Sequence, residues 1–228
     1  MKKTLNQYRG GLSSSQAAEG INAACTNARR LAEDAQLLFA AQRFPSAASL
    51  AILALEELGK TGILRGLVTA QLDEIEREWK RYRKHTEKNY MALLPGMVRK
   101  GATHLQQLRS LFTSASDAER MTYDTVKQIG FYTDCCGNAH WSIPLEVIDE
   151  GLAAVLTRMA TALTAGKKPV TIKEVELWKL HMSAGNTREN LLNWCSAMVA
   201  AGLMSAEDLE DMRQFTQGME CSTGERLQ

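Results

Sequence analysis

The stretch Ser49-Leu-Ala-Ile-Leu-Ala-Leu-Glu-Glu-Leu-Gly-Lys60 constrains the fold more than any other part of the chain. Seven apolar or small residues run without a break, and the helical pattern then continues through Ile63, Leu64, Leu67 and Val68. A helix that is apolar nearly all round belongs inside a bundle, surrounded by other helices. Glu56, Glu57 and Lys60 interrupt it, and buried charges are costly unless they are paired or used. On a helix Lys60 lies between Glu57, three residues back, and Glu56, four back. The group is therefore either an ion-pair cluster at the bundle edge or part of a functional pocket.

The rest of the chain reads as all-α. Hydrophobic residues make up 45% of the 228, enough for a sizeable core. Proline and strand-like alternation are scarce. A first helix is expected from about Ser15 to Gln42, with Ile21, Ala24, Ala28, Leu31, Ala35 and Leu38 at helical spacing. Phe44-Pro45-Ser46 breaks it, with Ser46 as an N-cap of the second helix, which runs to about Ala70. An acidic start at Asp73, Glu74 and Glu76 opens a third helix through about Leu94. A fourth follows from Met97 to Phe112. Ser116-x-x-Glu119 caps a fifth through about Asp134. Cys135 to Pro144 reads as a loop and Leu145 to Thr164 as one helix. Beyond Gly166 lie three short helices capped at Thr171, Asn186 and Ser205. The expected architecture is an antiparallel helical bundle over residues 15–165 and a helical C-terminal extension over 170–217.

Composition excludes several classes. A net charge of +1 argues for no global attraction to nucleic acid, so any such contact needs a local patch. The four histidines and five cysteines show no zinc-ligand spacing, and no metal or cofactor is expected. Reduced, mostly buried thiols fit a cytoplasmic protein, and packing is the expected role of Cys135-Cys136. Met1 to Ser15 lacks the apolar core of a signal peptide, and no apolar run approaches ~18 residues, so no membrane association is expected.

Two further groups carry chemistry. On the third helix Ile75, Trp79 and Tyr82 form a core stripe, and Glu78, Arg81, His85 and Lys88 form a second stripe beside it. A histidine flanked by Arg and Lys suits phosphate chemistry: the imidazole moves a proton near neutral pH and the cations neutralise phosphate oxygens. The same charges also read as a solvated face. The third group is Tyr132, Asp134 and Trp141 around Gly137-Asn138. Asp134 is expected to close a helix, at the unfavourable end of the macrodipole, where Lys60 or His85 is a candidate partner. Simple loop capping is the alternative for Asp134, and plugging the bundle is the alternative for Trp141.

In this order the three groups resemble the AbiV family of abortive-infection proteins, within the HEPN class of helical domains. The resemblance rests on Ala-Ala-Ser49-Leu-Ala-Ile-Leu-Ala-Leu-Glu56-Glu57-Leu-Gly-Lys60, on Trp79-Lys-Arg-Tyr-Arg-Lys-His85-Thr-Glu-Lys88, and on Phe131-Tyr132-Thr-Asp134 with Trp141-Ser-Ile-Pro144. It covers about residues 15–165. It implies a homodimer that halts phage propagation by interfering with RNA or translation, with RNA or a phage-encoded activator protein as partner. Many HEPN relatives are metal-independent ribonucleases carrying an Arg and a His separated by four to six residues on one helix. Here Arg81 and His85 are separated by three. Two readings follow. In the first, His85, Arg81, Lys88, Glu57 and Lys60 are catalytic, and Glu56, Tyr132, Asp134 and Trp141 bind. In the second, the polar cluster holds together a non-catalytic protein that binds a phage product or the translation machinery.

Overall fold

The computed structural model describes residues 7–84, 117–136, 139–166 and 168–220. The fold is all-α with one small two-stranded ribbon among the described residues. Its first two helices, α1 (Ser14–Ala40) and α2 (Phe44–Thr69), pair as a long hairpin. Ser13 and Gln16 form a capping box at the start of α1. The turn between them is tight, with Gln42 at φ +59°. Helix α2 begins at Phe44, not at a Ser46 cap, because Pro45 occupies the first turn. There its missing N–H costs nothing, since that donor has no partner within the helix.

Helix α2 is the hub of the bundle. It contacts α1, α3 (Ile75–Arg83), α4 (Asp117–Phe131), α5 (Pro144–Val147), α6 (Glu150–Thr164) and α7 (Ile172–Met182). That explains its all-round apolar character. Ala47, Ala48, Ala51 and Ala54 are fully buried, and such small side chains let helix axes approach closely. One core cluster joins Ala28, Leu31 and Ala35 of α1 to Ile52, Leu55 and Leu58 of α2 and to Leu156 and Ala160 of α6. A second joins Ile21, Leu64 and Leu67 to Trp79 of α3 and Val175 of α7.

Several boundaries differ from the sequence reading. Helix α3 ends at Arg83, and Lys84 is extended, with ψ 122°. Lys80, Arg81 and Arg83 crowd its last turn, where cations favour a helix C-terminus. The expected helix is thus broken at Lys84, and its expected part from His85 to Leu94 lies outside the described residues. The expected loop after Asp134 contains an antiparallel ribbon, β1 (Asp134–Cys136) with β2 (His140–Ser142), pairing Cys135 with Trp141. Asp134 thus starts a strand and does not close a helix. Cys135 is exposed, not packed in the core. Residues 145–164 do not form one helix: α5 ends at Val147, and Asp149 caps α6 by accepting from the Leu152 N–H at 2.8 Å. The expected helix over 97–112, the Ser116 cap and the Gly137-Asn138 tip lie outside the described residues.

The C-terminal helices α7, α8 (Arg188–Ala200) and α9 (Ala206–Glu220) follow one another. Thr171 caps α7 and Ser205 accepts from the Asp208 N–H at 3.0 Å, but α8 is capped by Thr187 and not by Asn186. Helix α7 packs on the bundle. The Asn22 side chain donates to the Val170 carbonyl at 2.8 Å and accepts from the Val170 N–H at 2.7 Å. Arg65 pairs with Glu174 and stacks 5.7 Å from the Trp178 ring. Trp178 donates to the Arg65 carbonyl at 3.2 Å and meets Trp194 of α8 edge-on. Asn22→Ala removes both bonds to Val170 and is expected to lower stability by about 1–3 kcal/mol in thermal unfolding. Hydrogen exchange should quicken first in α7.

Candidate functional site

Glu56, Glu57 and Lys60 of α2 resolve into two ion-paired groups, apart from the Arg65–Glu174 pair farther along the helix. Glu56 is buried (3% exposed) and accepts from the Lys127 ammonium of α4 at 2.8 Å. Lys127 is equally buried and lies 2.7 Å from Asp124 one turn earlier. The Lys127 carbonyl accepts from Ser49 Oγ at 3.2 Å, so the same turn of α4 is tied to α2 twice. Burial pulls the Lys127 pKa down, but the hydrogen bonds it donates to Asp124 and Glu56, with the charges of both, outweigh burial and raise the ammonium above the usual lysine value. Sequence reasoning placed Lys60 between Glu56 and Glu57. The structure gives Lys60 to Glu57 and Lys127 to Glu56.

The approach of α4 to α2 depends on Gly130. A Cβ there would lie 2.2 Å from Ser49 Oγ and 2.9 Å from the Pro45 carbonyl oxygen. Neither Lys127 nor Asp124 was singled out from the sequence. The available signal was weak: a lysine flanked by Val126 and Ile129 and followed by a helical glycine.

Lys60 and Glu57 are half-sheltered, and the Lys60 ammonium stands 5.4 Å from the Tyr82 ring centroid of α3. Farther along, Gly66 of α2 faces the Glu78 carboxylate of α3, so the two helices run antiparallel. Glu78 is buried and accepts from Arg81 at 2.9 and 3.1 Å, with Arg77 at 3.6 Å. Trp79 anchors the helix by donating to the Gly10 carbonyl at 2.9 Å. The α2–α3 seam therefore holds Lys60 and Arg81 on facing helices, each with its own carboxylate. His85 and Lys88 lie outside the described residues.

Asp134 and Trp141 sit on the ribbon, Tyr132 lies between α4 and the ribbon, and all three are exposed. Asp134 accepts from the Cys135 N–H at 2.8 Å, and Ser142 Oγ accepts from the Asp134 N–H at 3.1 Å. The Asp134 side chain thus bonds locally, as the loop-capping alternative has it, while Lys60 pairs with Glu57; His85, the other candidate partner, lies outside the described residues. Cys195 is buried, which pushes its thiol up to about 11 and makes it inert. Among the described residues no cluster of three or more His, Cys, Asp or Glu side chains is placed to hold a metal. No described helix is long and apolar enough to cross a membrane.

The family model for AbiV, of the HEPN class, matches residues 16–165. That span runs from the first turn of α1 through α6 and includes all three groups of candidate residues. No curated protein and no solved structure is significantly similar to the chain. The match covers well over half of the sequence, and the helical bundle agrees with it; the chain belongs to the AbiV family of HEPN-type abortive-infection proteins.

Proposed function

We propose that this protein halts phage propagation by binding a component of the translation machinery or a phage product, and that its α2 charges hold the bundle together. The observation that carries this reading is charge matching. Lys60 is paired with Glu57, Arg81 with Glu78, and Lys127 with both Glu56 and Asp124. A phosphodiester-cleaving pocket needs cations whose charge is available to the developing transition state. Here carboxylates already offset them, and Glu56 and Lys127 are out of reach of any substrate.

A second reading, metal-independent RNA cleavage, is favoured by the placement of Lys60 and Arg81. Both retain partial access to solvent, and Lys60 lies against Tyr82, the residue next to Arg81. In that mechanism His85 takes the proton of a ribose 2′-hydroxyl, whose oxygen attacks the adjacent phosphate and breaks the bond to the next nucleotide's 5′-oxygen, leaving a 2′,3′-cyclic phosphate and a 5′-hydroxyl protonated from solvent, while Arg81, Lys88 and Lys60 stabilise the charge and Glu57 or Asp134 positions His85 or a lysine. Incubation of purified protein with total RNA and tRNA separates the two, with His85→Ala as control. The binding reading predicts no cleavage by either protein and full phage protection by His85→Ala. Cleavage that disappears in His85→Ala would overturn it.

A further inference from the structure

Exposed large apolar side chains are concentrated in one part of this molecule. Eight of the thirteen that are exposed among the described residues fall between Phe131 and Val155. Tyr132 is 63% exposed, Trp141 62% and Leu145 71%. Scattered exposed apolar residues are ordinary, but a concentration on successive elements marks a binding surface. These elements are the end of α4, the ribbon β1–β2, the short helix α5 and the first turns of α6, which follow one another directly in the chain.

The charge of the same stretch is one-sided. From Gln128 to Thr157 there is no lysine or arginine, whereas Asp134, Glu146, Asp149 and Glu150 are all present and all exposed. A stretch that exposes apolar side chains and carboxylates together selects its partner. RNA is disfavoured, because this stretch carries four carboxylates that repel a phosphate and no lysine or arginine, with His140 its one basic side chain. A second copy docking through the same patch would set these carboxylates against their own equivalents. A cationic segment with an apolar stripe satisfies both the apolar side chains and the carboxylates.

We propose that the face formed by the ribbon, α5 and the start of α6 is a docking surface for a basic, apolar-faced segment of another protein. This rests on the reading that the protein acts by binding, and supplies the surface and the chemistry of the partner.

The test uses the full chain and a fluorescein-labelled amphipathic Leu/Lys helical peptide, with Leu/Gln and Leu/Glu peptides and a labelled single-stranded RNA as comparisons. Fluorescence anisotropy should show binding of the Leu/Lys peptide that weakens with salt, weaker binding of Leu/Gln and none of Leu/Glu or RNA. Trp141→Ser/Leu145→Ser and Glu146→Lys/Glu150→Lys should each weaken it by about tenfold or more. Leu37→Ser, an exposed apolar residue on α1, should leave it unchanged. If the first double variant fails to fold, the charge-reversal pair carries the test alone. Equal affinity in the Glu146/Glu150 variant and wild type would overturn the proposal. So would RNA binding lost in these variants, or a sedimentation-detected dimer that Trp141→Ser/Leu145→Ser dissociates. The outcome is separable from the broader reading: no peptide binding together with intact protection by His85→Ala removes this surface only, whereas His85-dependent RNA cleavage removes the binding reading itself.

Discussion

Lys127→Met is expected to lower the unfolding free energy by about 3–5 kcal/mol, the largest effect of any single substitution considered for this protein. The cause is what remains behind. Glu56 stays 3% exposed in the middle of α2 and loses the ammonium that offsets its charge. Asp124 suffers less, because its side chain is 38% exposed and water can replace the lysine. Removing both charges is a different experiment. Glu56→Leu/Lys127→Met replaces the pair by apolar groups and should recover most of the loss, since a buried ion pair contributes little net stability beyond a well-packed apolar pair. Urea unfolding of the two single variants and the double variant gives the coupling energy. The lysine also predicts a pH signature. Its folded pKa lies above its unfolded value. Its contribution is thus complete below the unfolded lysine pKa and is lost as pH rises through the folded one. Wild-type stability should fall in that alkaline window, and the part due to Lys127 should be missing from Lys127→Met.

Gly130→Ala is the second large effect, and its sign decides between two opposing forces. In an exposed helix this change stabilises by about 1 kcal/mol through backbone entropy. Here the new methyl would sit 2.2 Å from Ser49 Oγ, 2.9 Å from the Pro45 carbonyl oxygen and 3.0 Å from Ile148 Cδ1. Ser49 is completely buried, and the Pro45 oxygen belongs to the backbone, so neither yields easily. Helix α4 must move away from α2, and Lys127, one turn earlier on α4, moves with it. A net loss of about 1–3 kcal/mol is expected from the overpacking. Adding Ser49→Ala relieves the closest contact but leaves the carbonyl, so the double variant should recover only part of the loss. Thermal unfolding of the single and double variants checks both statements.

The long elements were legible because their apolar residues repeat at helical spacing over many turns. The α1–α2 hairpin, the burial of α2 and the caps at Thr171 and Ser205 follow from local pattern alone. The β1–β2 ribbon did not, because strands of three residues are too short to show an alternation. The break between α5 and α6 was hidden for a related reason. Apolar residues continue across Ile148, and only the side chain of Asp149 marks the new start. The end of α3 had a local signal, the crowded cations Lys80, Arg81 and Arg83, which read equally well as a solvated face.

For the candidate site, the Glu57–Lys60 pair was visible at a spacing of three. The partner of Glu56 was not, because it comes from 71 residues away. Which cation meets a buried carboxylate is settled by how helices pack, and α4 reaches α2 only because residue 130 is glycine. The same packing changes how the site reads: what was a single cluster around Lys60 in the sequence becomes two separate ion-paired groups on α2.

On the proposed reading the buried charges of α2 serve the bundle and not a reaction. Its most direct test is the plating efficiency of a phage that the wild-type protein restricts, on cells producing Glu56→Leu/Lys127→Met. The account predicts protection equal to wild type, with purified variant showing wild-type helicity. Loss of protection by a variant that is folded and as stable as wild type would contradict it.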